Sequence, residues 1–215
     1  MFQNRTEAGK LLGKKIKEEL AIEELKSKII VLGIPRGGVV VAKEVAEILG
    51  CSLDIIVTRK IGALGNEELA IGAIGETEGS QYIDQRLAVD VRADEEYLQS
   101  KIKEQKEEIK RRERLYREGK EPLVLESKIV ILVDDGVATG ATMIAAAREV
   151  WNHNPRRVII ALPVCPKDTL SKLEKEADQV VILKTPWPFF AVGQFYKEFG
   201  QVSDEEVVQL LASSA

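Results

Sequence analysis

Two adjacent carboxylates, Asp134-Asp135, close an unbroken apolar run, Ile129-Val130-Ile131-Leu132-Val133, and are followed at once by Gly136-Val137-Ala138-Thr139-Gly140-Ala141-Thr142. Carboxylates at the end of a buried segment are costly unless a cation or a hydroxyl meets them. The turn behind them offers the complementary chemistry. Successive backbone N–H groups leading into a helix start form a cradle for an anion, and the Thr139 and Thr142 hydroxyls add donors. Carboxylates facing sugar hydroxyls or magnesium, with amides facing a phosphate, suit a sugar phosphate. An isolated acidic pair more simply caps a turn and a helix; the strand before this one and the Thr-Gly-x-Thr loop after it favour a ligand.

A second loop, Gly33-Ile34-Pro35-Arg36-Gly37-Gly38, also follows an apolar run. Glycines there permit close backbone approach, and the Arg36 guanidinium is a fork of donors matched to phosphate oxygens. Glycine-rich strand exits are common and a lone arginine is ordinarily just solvated, so this loop gains meaning from its place one crossover before the acidic pair. Thr58-Arg59-Lys60, at the next strand exit, brings further positive charge to the same edge.

Apolar strand, acidic pair and Thr-Gly-x-Thr loop together resemble the phosphoribosyl pyrophosphate motif of the type I phosphoribosyltransferases. A Gly-Lys-[ST] element, the mark of a Walker loop, does not occur. The resemblance implies that Asp134 and Asp135 meet the ribose 2- and 3-hydroxyls, directly or through Mg2+, and that Gly136, Val137 and Ala138 to Thr142 cradle the 5-phosphate. It casts Pro35, Arg36, Gly37 and Gly38 as the pyrophosphate loop, supported by Arg59 and Lys60. Displacing pyrophosphate from C1 develops positive charge on the sugar and negative charge on the leaving group, so fixed cations, amide dipoles and magnesium favour the transition state. Asp134, Asp135, Arg36 and Arg59 would carry this reaction, which needs no covalent nucleophile, through an oxocarbenium-like state with inversion. Magnesium would arrive with the pyrophosphate, held by few protein ligands.

The same resemblance implies a mobile loop within Arg59 to Ser80, including Gly62 to Glu68 with its glycine hinges, and makes Glu68 a candidate site residue. Ala138 stands where 6-oxopurine enzymes commonly carry an aspartate, which speaks against guanine or hypoxanthine as acceptor. The acceptor is expected to be nitrogenous, a nucleobase being one candidate, with a role in nucleotide metabolism. It would meet a hood outside the core. The segment Pro186 to Tyr196 gathers Trp187, Phe189 and Phe190, whose faces can stack on a flat heterocycle or instead pack the C-terminal helix. A homo-oligomer, a dimer, is expected. A non-catalytic regulator binding the same ligand or a nucleotide is the alternative.

The elements that must position these residues alternate between strand and helix. Leu11, Leu12, Ile16, Leu20 and Ile22 mark an amphipathic helix over Thr6 to Leu25. Continuous apolar runs predict strands at Ile29 to Ile34, Leu53 to Thr58, Lys128 to Val133, Val158 to Leu162 and Val180 to Leu183. Leu69 to Ile74 and Gln81 to Asp84 read as a further strand pair around a turn at Glu76 to Ser80. Helices are expected at Val39 to Leu49, stopped by Gly50, at Thr142 to His153, at Leu170 to Ala177, and at Asp204 to Ala212 behind a Ser203 cap.

The resulting fold class is α/β, an open and mainly parallel sheet flanked by helices with right-handed crossovers, in one domain over 1–215. A long helix near residues 91–120 is an insertion, with a thin apolar stripe at Leu98, Ile102, Ile109 and Tyr116 and Glu-to-Arg pairs at 107/111, 108/112 and 113/117. It reads as a dimer arm, a lid or, most simply, a covering helix. Its basic stretch, Lys110 to Arg114, is interleaved with glutamate and reads as a solvated face in preference to an RNA contact. Residues 185–215 form the candidate hood and closing helix.

Composition sets the outer limits. At 215 residues and 45% hydrophobic the chain can bury a full core without disulfides or metal. A net charge of −4 gives no global pull toward nucleic acid or a membrane surface. Cys51 and Cys165 are too few and too far apart for a disulfide framework or a metal site, which favours a reducing compartment. No apolar run is long enough to span a bilayer, and a soluble, cytoplasmic protein is expected. The lone histidine, His153, reads as a helix-end residue.

Overall fold

The computed structural model describes residues 1–20, 28–121 and 123–213, without the side chain of Glu68. In chain order the first half forms α1 (Arg5–Leu20), β1 (Ile29–Gly33), α2 (Gly37–Leu49), β2 (Ser52–Ile55), β3 (Arg59–Ala63), β4 (Asn66–Ile74), β5 (Tyr82–Ile83), α3 (Gln85–Asp90) and α4 (Glu95–Tyr116). The second half adds β6 (Ile129–Val133), α5 (Ala141–Trp151), β7 (Arg157–Val164), α6 (Lys167–Leu173), β8 (Gln179–Lys184) and α7 (Asp204–Ala212). The expected extension of the first helix to Leu25, and Pro122 after the long helix, lie outside the described residues.

Five parallel strands in the order β2-β1-β6-β7-β8 make the main sheet. The strands are continuously apolar because both faces are covered. Along β6, Ile129, Ile131 and Val133 join the core shared with α1 and α2, whereas Val130 and Leu132 join the core shared with α5. All five β6 residues are buried, and each such side chain stabilises by roughly 1.5–3 kcal/mol over an exposed one. Gly50 ends α2 in the left-handed region at φ 64°, as its position suggests.

A second, antiparallel sheet, β3-β4-β5, departs from the sequence reading. The pairing of β4 with β5 was legible, with Gly72 opposite Ile83 and Ala73 opposite Tyr82. The segment expected to be a mobile loop instead contributes β3, pairing Lys60 with Ala73 and Ile61 with Gly72 and turning back at Gly65, φ 76°. The Arg59–Ala63 run hides its strand character because Ile61 and Ala63 bury while Arg59 and Lys60 do not.

The long helix is also shorter and better anchored than its pattern suggests. Arg92 takes φ 56° and separates α3 from α4, and the Asp94 carboxylate caps α4 by accepting from Tyr97 N at 2.8 Å. Leu98, Ile109 and Tyr116 bury as expected. Of the three anticipated ion pairs, Glu108–Arg112 forms at 2.7 Å, while Arg111 also takes Glu108 and Arg117 reaches Asp54 at 3.4 Å. At the C-terminus the Ser203 cap is present, its hydroxyl accepting from Glu206 N at 3.2 Å.

Candidate functional site

Strand order reverses between β1 and β6: the chain runs outward from β1 to β2 on one side and from β6 to β7 and β8 on the other. Loops leaving the carboxyl ends at such a switch point diverge and open a crevice. Gly33 pairs in register with Val133, and Ile34 N donates to Val133 O at 2.9 Å. The Pro35-Arg36-Gly37-Gly38 loop therefore leaves the sheet directly beside Asp134-Asp135. A methyl group at Gly38 would lie 2.8 Å from Asp134 Oδ1 and 2.9 Å from Val133 O. One at Gly37 would run into the Asp135 carboxylate. These glycines let the start of α2 sit against the acidic pair, the close backbone approach that the loop's composition permits.

Asp134 Oδ1 accepts the Asp135 backbone N–H at 2.8 Å. Asp135 Oδ2 accepts from Arg5 Nε at 2.6 Å, with the two side chains 14% and 12% exposed. Arg5 in turn donates from Nη1 to Gly200 O at 2.8 Å and lies 3.8 Å above the Phe199 ring. Tyr196 donates its hydroxyl to Asp135 O at 2.6 Å. Burial pushes both carboxyls above the usual range, the Asp135 charge pushes Asp134 further, and Arg5 opposes the rise at Asp135. Arg5 is the residue the sequence did not reveal. An arginine at the first turn of an amphipathic helix carries no local sign of a carboxylate 130 positions away.

The turn behind the pair is built as the sequence suggests. Gly136 and Gly140 adopt φ 151° and 83°, conformations that favour glycine. Val137 N donates to Val164 O at 3.2 Å and Thr169 Oγ1 donates to Ala138 O at 2.6 Å. Pinned from behind by β7 and α6, the loop leaves Ala138 and Thr139 exposed at the N-terminus of α5. Val137 and Ala141 are buried, so any ligand contact from them is through the backbone. Thr142 is half-buried in the first turn of α5.

The cations take other partners. Arg36 precedes α2 through a cis Pro35–Arg36 peptide and reaches Asp204 Oδ1 at 3.6 Å. Arg59 donates from Nε to Gln105 Oε1 of α4 at 2.9 Å. Lys60 lines a cavity of about 140 Å³ between the β3–β4 hairpin and α4. The direct partner of the acidic pair is thus Arg5, not Arg36 or Arg59. In the hood, Phe189 packs on Phe195 at 4.8 Å between centroids. Trp187 is 92% exposed and Phe190 83%, so neither packs against the closing helix. His153 pairs with buried Glu149 at 3.2 Å.

Among the described residues no group of three or more His, Cys, Asp or Glu side chains is placed to hold a metal ion. With one Asp135 oxygen engaged by Arg5, the remaining carboxylate oxygens of Asp134 and Asp135 fit a magnesium ion that would bring most of its oxygen ligands with it.

A family model described as phosphoribosyl transferase domain matches residues 6–198. Relatives from two Mycobacterium tuberculosis strains, CDC 1551 and H37Rv, described as candidate phosphoribosyl transferases, are 40% identical over 212 residues. The match takes in 98% of this chain and 46% of theirs, so the chain spans about half the length of the curated relatives it matches. The crystal structure of TT1426 from Thermus thermophilus is 40% identical, with TM-score 0.79 over 100% of this chain and 99% of that one. The AQ2163 protein from Aquifex aeolicus shares the fold at 14% identity and TM-score 0.51, over 84% of this chain and 74% of its own. No described helix is long and apolar enough to cross a membrane.

Proposed function

The chain belongs to the phosphoribosyl transferase domain family, and from that premise we propose that it transfers a 5-phosphoribosyl group from phosphoribosyl pyrophosphate to a nitrogenous acceptor. The observation that carries this reading is the Gly33–Val133 register, which sets the acidic pair and the Arg36-Gly37-Gly38 loop side by side at the switch point. The α5 N-terminus with Ala138 to Thr142 receives the 5-phosphate. Asp134 and Asp135 accept from the ribose hydroxyls and hold C1 toward the pyrophosphate loop. Arg36 and Arg59, with Lys60, face the charge that grows on the departing pyrophosphate. The C1–O bond to pyrophosphate breaks, a C1–N bond forms, and the acceptor's proton is released.

Magnesium, when bound with the pyrophosphate, would supply charge neutralisation at the leaving group, and Asp134 and Asp135 are the residues that would hold it, directly or through water. Exposed Trp187 is the hood face offered to a planar acceptor, and Ala138 disfavours a 6-oxopurine. The same reading places the protein in the cytoplasm, in nucleotide metabolism, as a homodimer. Arg5 on Asp135 is the observation that favours a second reading, a non-catalytic binder of the same ligand, because it occupies an oxygen that ribose would use.

Calorimetric titration of phosphoribosyl pyrophosphate with magnesium tests the site, and a screen of acceptors for pyrophosphate release tests turnover. Binding that needs magnesium and is lost in Asp134→Asn/Asp135→Asn supports the site. Binding without release from any acceptor favours the binder. No binding at all removes both readings.

A further inference from the structure

The surface of α4 that the sequence presents as solvated is turned inward at one arginine, Arg112, while Arg111 stays exposed. Arg112 is only 13% exposed and is held by Glu108 of its own helix at 2.7 Å. Arg111 shares Glu108 at 2.7 Å and reaches Asp204 Oδ2 at 3.7 Å. Asp204 also meets Arg36 at 3.6 Å and accepts the Tyr116 hydroxyl at 2.6 Å. Arg59, tied to α4 through Gln105 at 2.9 Å, is close enough to Arg112 and Arg36 that their charges add to burial in holding its basicity below the ordinary value.

Guanidinium groups from the α2 start and α4 thus share two carboxylates, Glu108 and Asp204, bridged by Arg111, with Arg59 of β3 alongside. Like charges kept this close are unfavourable unless an anion joins them. The protein already shows that the groups can serve one: the Asp204 carboxylate sits among Arg36, Arg111 and Tyr116 as an internal anion. Two cavities border the patch, one of about 280 Å³ lined by Arg36 and residues 201–205, the other the space of about 140 Å³ beside Arg59 and Gln105. A compact polyanion with several equivalent oxygens matches forked donors from more than one direction.

We propose that α4 completes the pyrophosphate end of the site, with Arg112, and Arg111 beside it, binding the outer phosphate of phosphoribosyl pyrophosphate and of released pyrophosphate. This rests on the phosphoribosyl transfer reading and extends it to an element that the two loop motifs do not include. Glu108 is then the internal competitor that holds both arginines when the anion is away.

The test compares inorganic pyrophosphate with ribose 5-phosphate, which engages only the other end, by calorimetry on the full chain with magnesium present. Arg112→Gln is expected to weaken pyrophosphate binding about tenfold, the loss of one charge-assisted contact. Ribose 5-phosphate should change by less than about twofold, as a contact confined to the pyrophosphate end requires. Glu108→Gln frees both arginines and should tighten pyrophosphate binding by about twofold or more, a gain that a purely structural ion pair does not produce. Unchanged pyrophosphate affinity in a folded Arg112→Gln, or equal weakening of both ligands, overturns the assignment to α4 while leaving the transfer reading intact. A wild-type protein that binds neither ligand nor phosphoribosyl pyrophosphate overturns both. Should Arg112→Gln fail to fold, Glu108→Gln alone decides, and an affinity no tighter than wild type counts against the proposal.

Discussion

Arg5 Nε lies 2.6 Å from Asp135 Oδ2, so the first residue of α1 is the counter-ion of a carboxylate at the carboxyl end of β6. Phe199 and Gly200 hold the guanidinium in place, tying both ends of the chain to the site. Removing one partner of a mostly buried pair leaves the other charge stranded. Arg5→Gln should therefore lower the unfolding free energy by about 2 kcal/mol in urea, below the buried-pair range of about 3–5 kcal/mol because water still reaches the site. Adding Asp135→Asn should recover part of the loss. A loss below about 0.5 kcal/mol, the size of an ordinary surface change, would mean that Asp135 finds its stabilisation elsewhere.

Gly38 and Gly65 separate two uses of glycine. At Gly38 a β-carbon would stand 2.8 Å from Asp134 Oδ1, whereas at Gly65 the space is open and only the φ of 76° resists a side chain. Gly38→Ala should cost about 1–3 kcal/mol through overpacking and displace Asp134, weakening ligand binding too. Gly65→Ala should cost about 1 kcal/mol through the backbone alone. Equal effects on stability and binding in the two variants would sink the close-approach argument.

What was legible in the sequence follows from how local each signal is. β1 and β6 announced themselves because a strand covered on both faces is apolar throughout, and α7 because Ser203 and Glu206 form a capping box within four residues. The two site loops were legible because glycines, threonines and acids sit at fixed offsets from those strands. β3 was not, since it exists through pairing with β4 and packing on α4, and its own five residues open with two adjacent charges, Arg59-Lys60, ahead of a short Ile-Gly-Ala run. Arg5 was missed for the same reason: its partners come from other elements. Glu113 shows the limit from the other direction. Helical spacing pairs it with Arg117, but Arg117 reaches Asp54 and Glu113 lines one cavity with Glu76.

That gathering of carboxyls makes a pH prediction. Burial first, then the charges of Glu76 and Glu149, raise Glu113 from 4.5 to about 7, with Arg117 opposing; His153 faces the same cluster through Glu149. Between those two values the folded chain keeps a proton that the unfolded chain has released, so the Glu113 contribution to stability is complete below about 4.5 and is lost as pH rises to about 7. Glu113→Gln stays neutral throughout. Its advantage over wild type should be near zero at low pH and grow to about 1–2 kcal/mol at pH 8, solvent screening having reduced the full linkage value. Paired urea titrations across that range check it, and a pH-independent difference would remove Glu113 as the titrating group.

The β3–β4 hairpin is the element nearest to a movable part, and α4 is what restrains it. Tyr97 donates its hydroxyl to Gly62 O at 2.9 Å, Lys101 meets Glu67 at 3.4 Å, and Gln105 accepts from Arg59 at 2.9 Å. Three tethers along successive turns of one helix hold the hairpin from its base toward its tip. Of these, the tyrosine contact is neutral and the exposed Lys101–Glu67 pair contributes little. Tyr97→Phe should raise the local opening equilibrium by about 1 kcal/mol, or roughly fivefold, without changing global unfolding. Hydrogen exchange then speeds up at hairpin amides while those of β1 and β6 hold their wild-type rates. Uniform acceleration would instead show that Tyr97 supports the fold as a whole, and no acceleration that the hairpin stays closed through Arg59 and β4 alone.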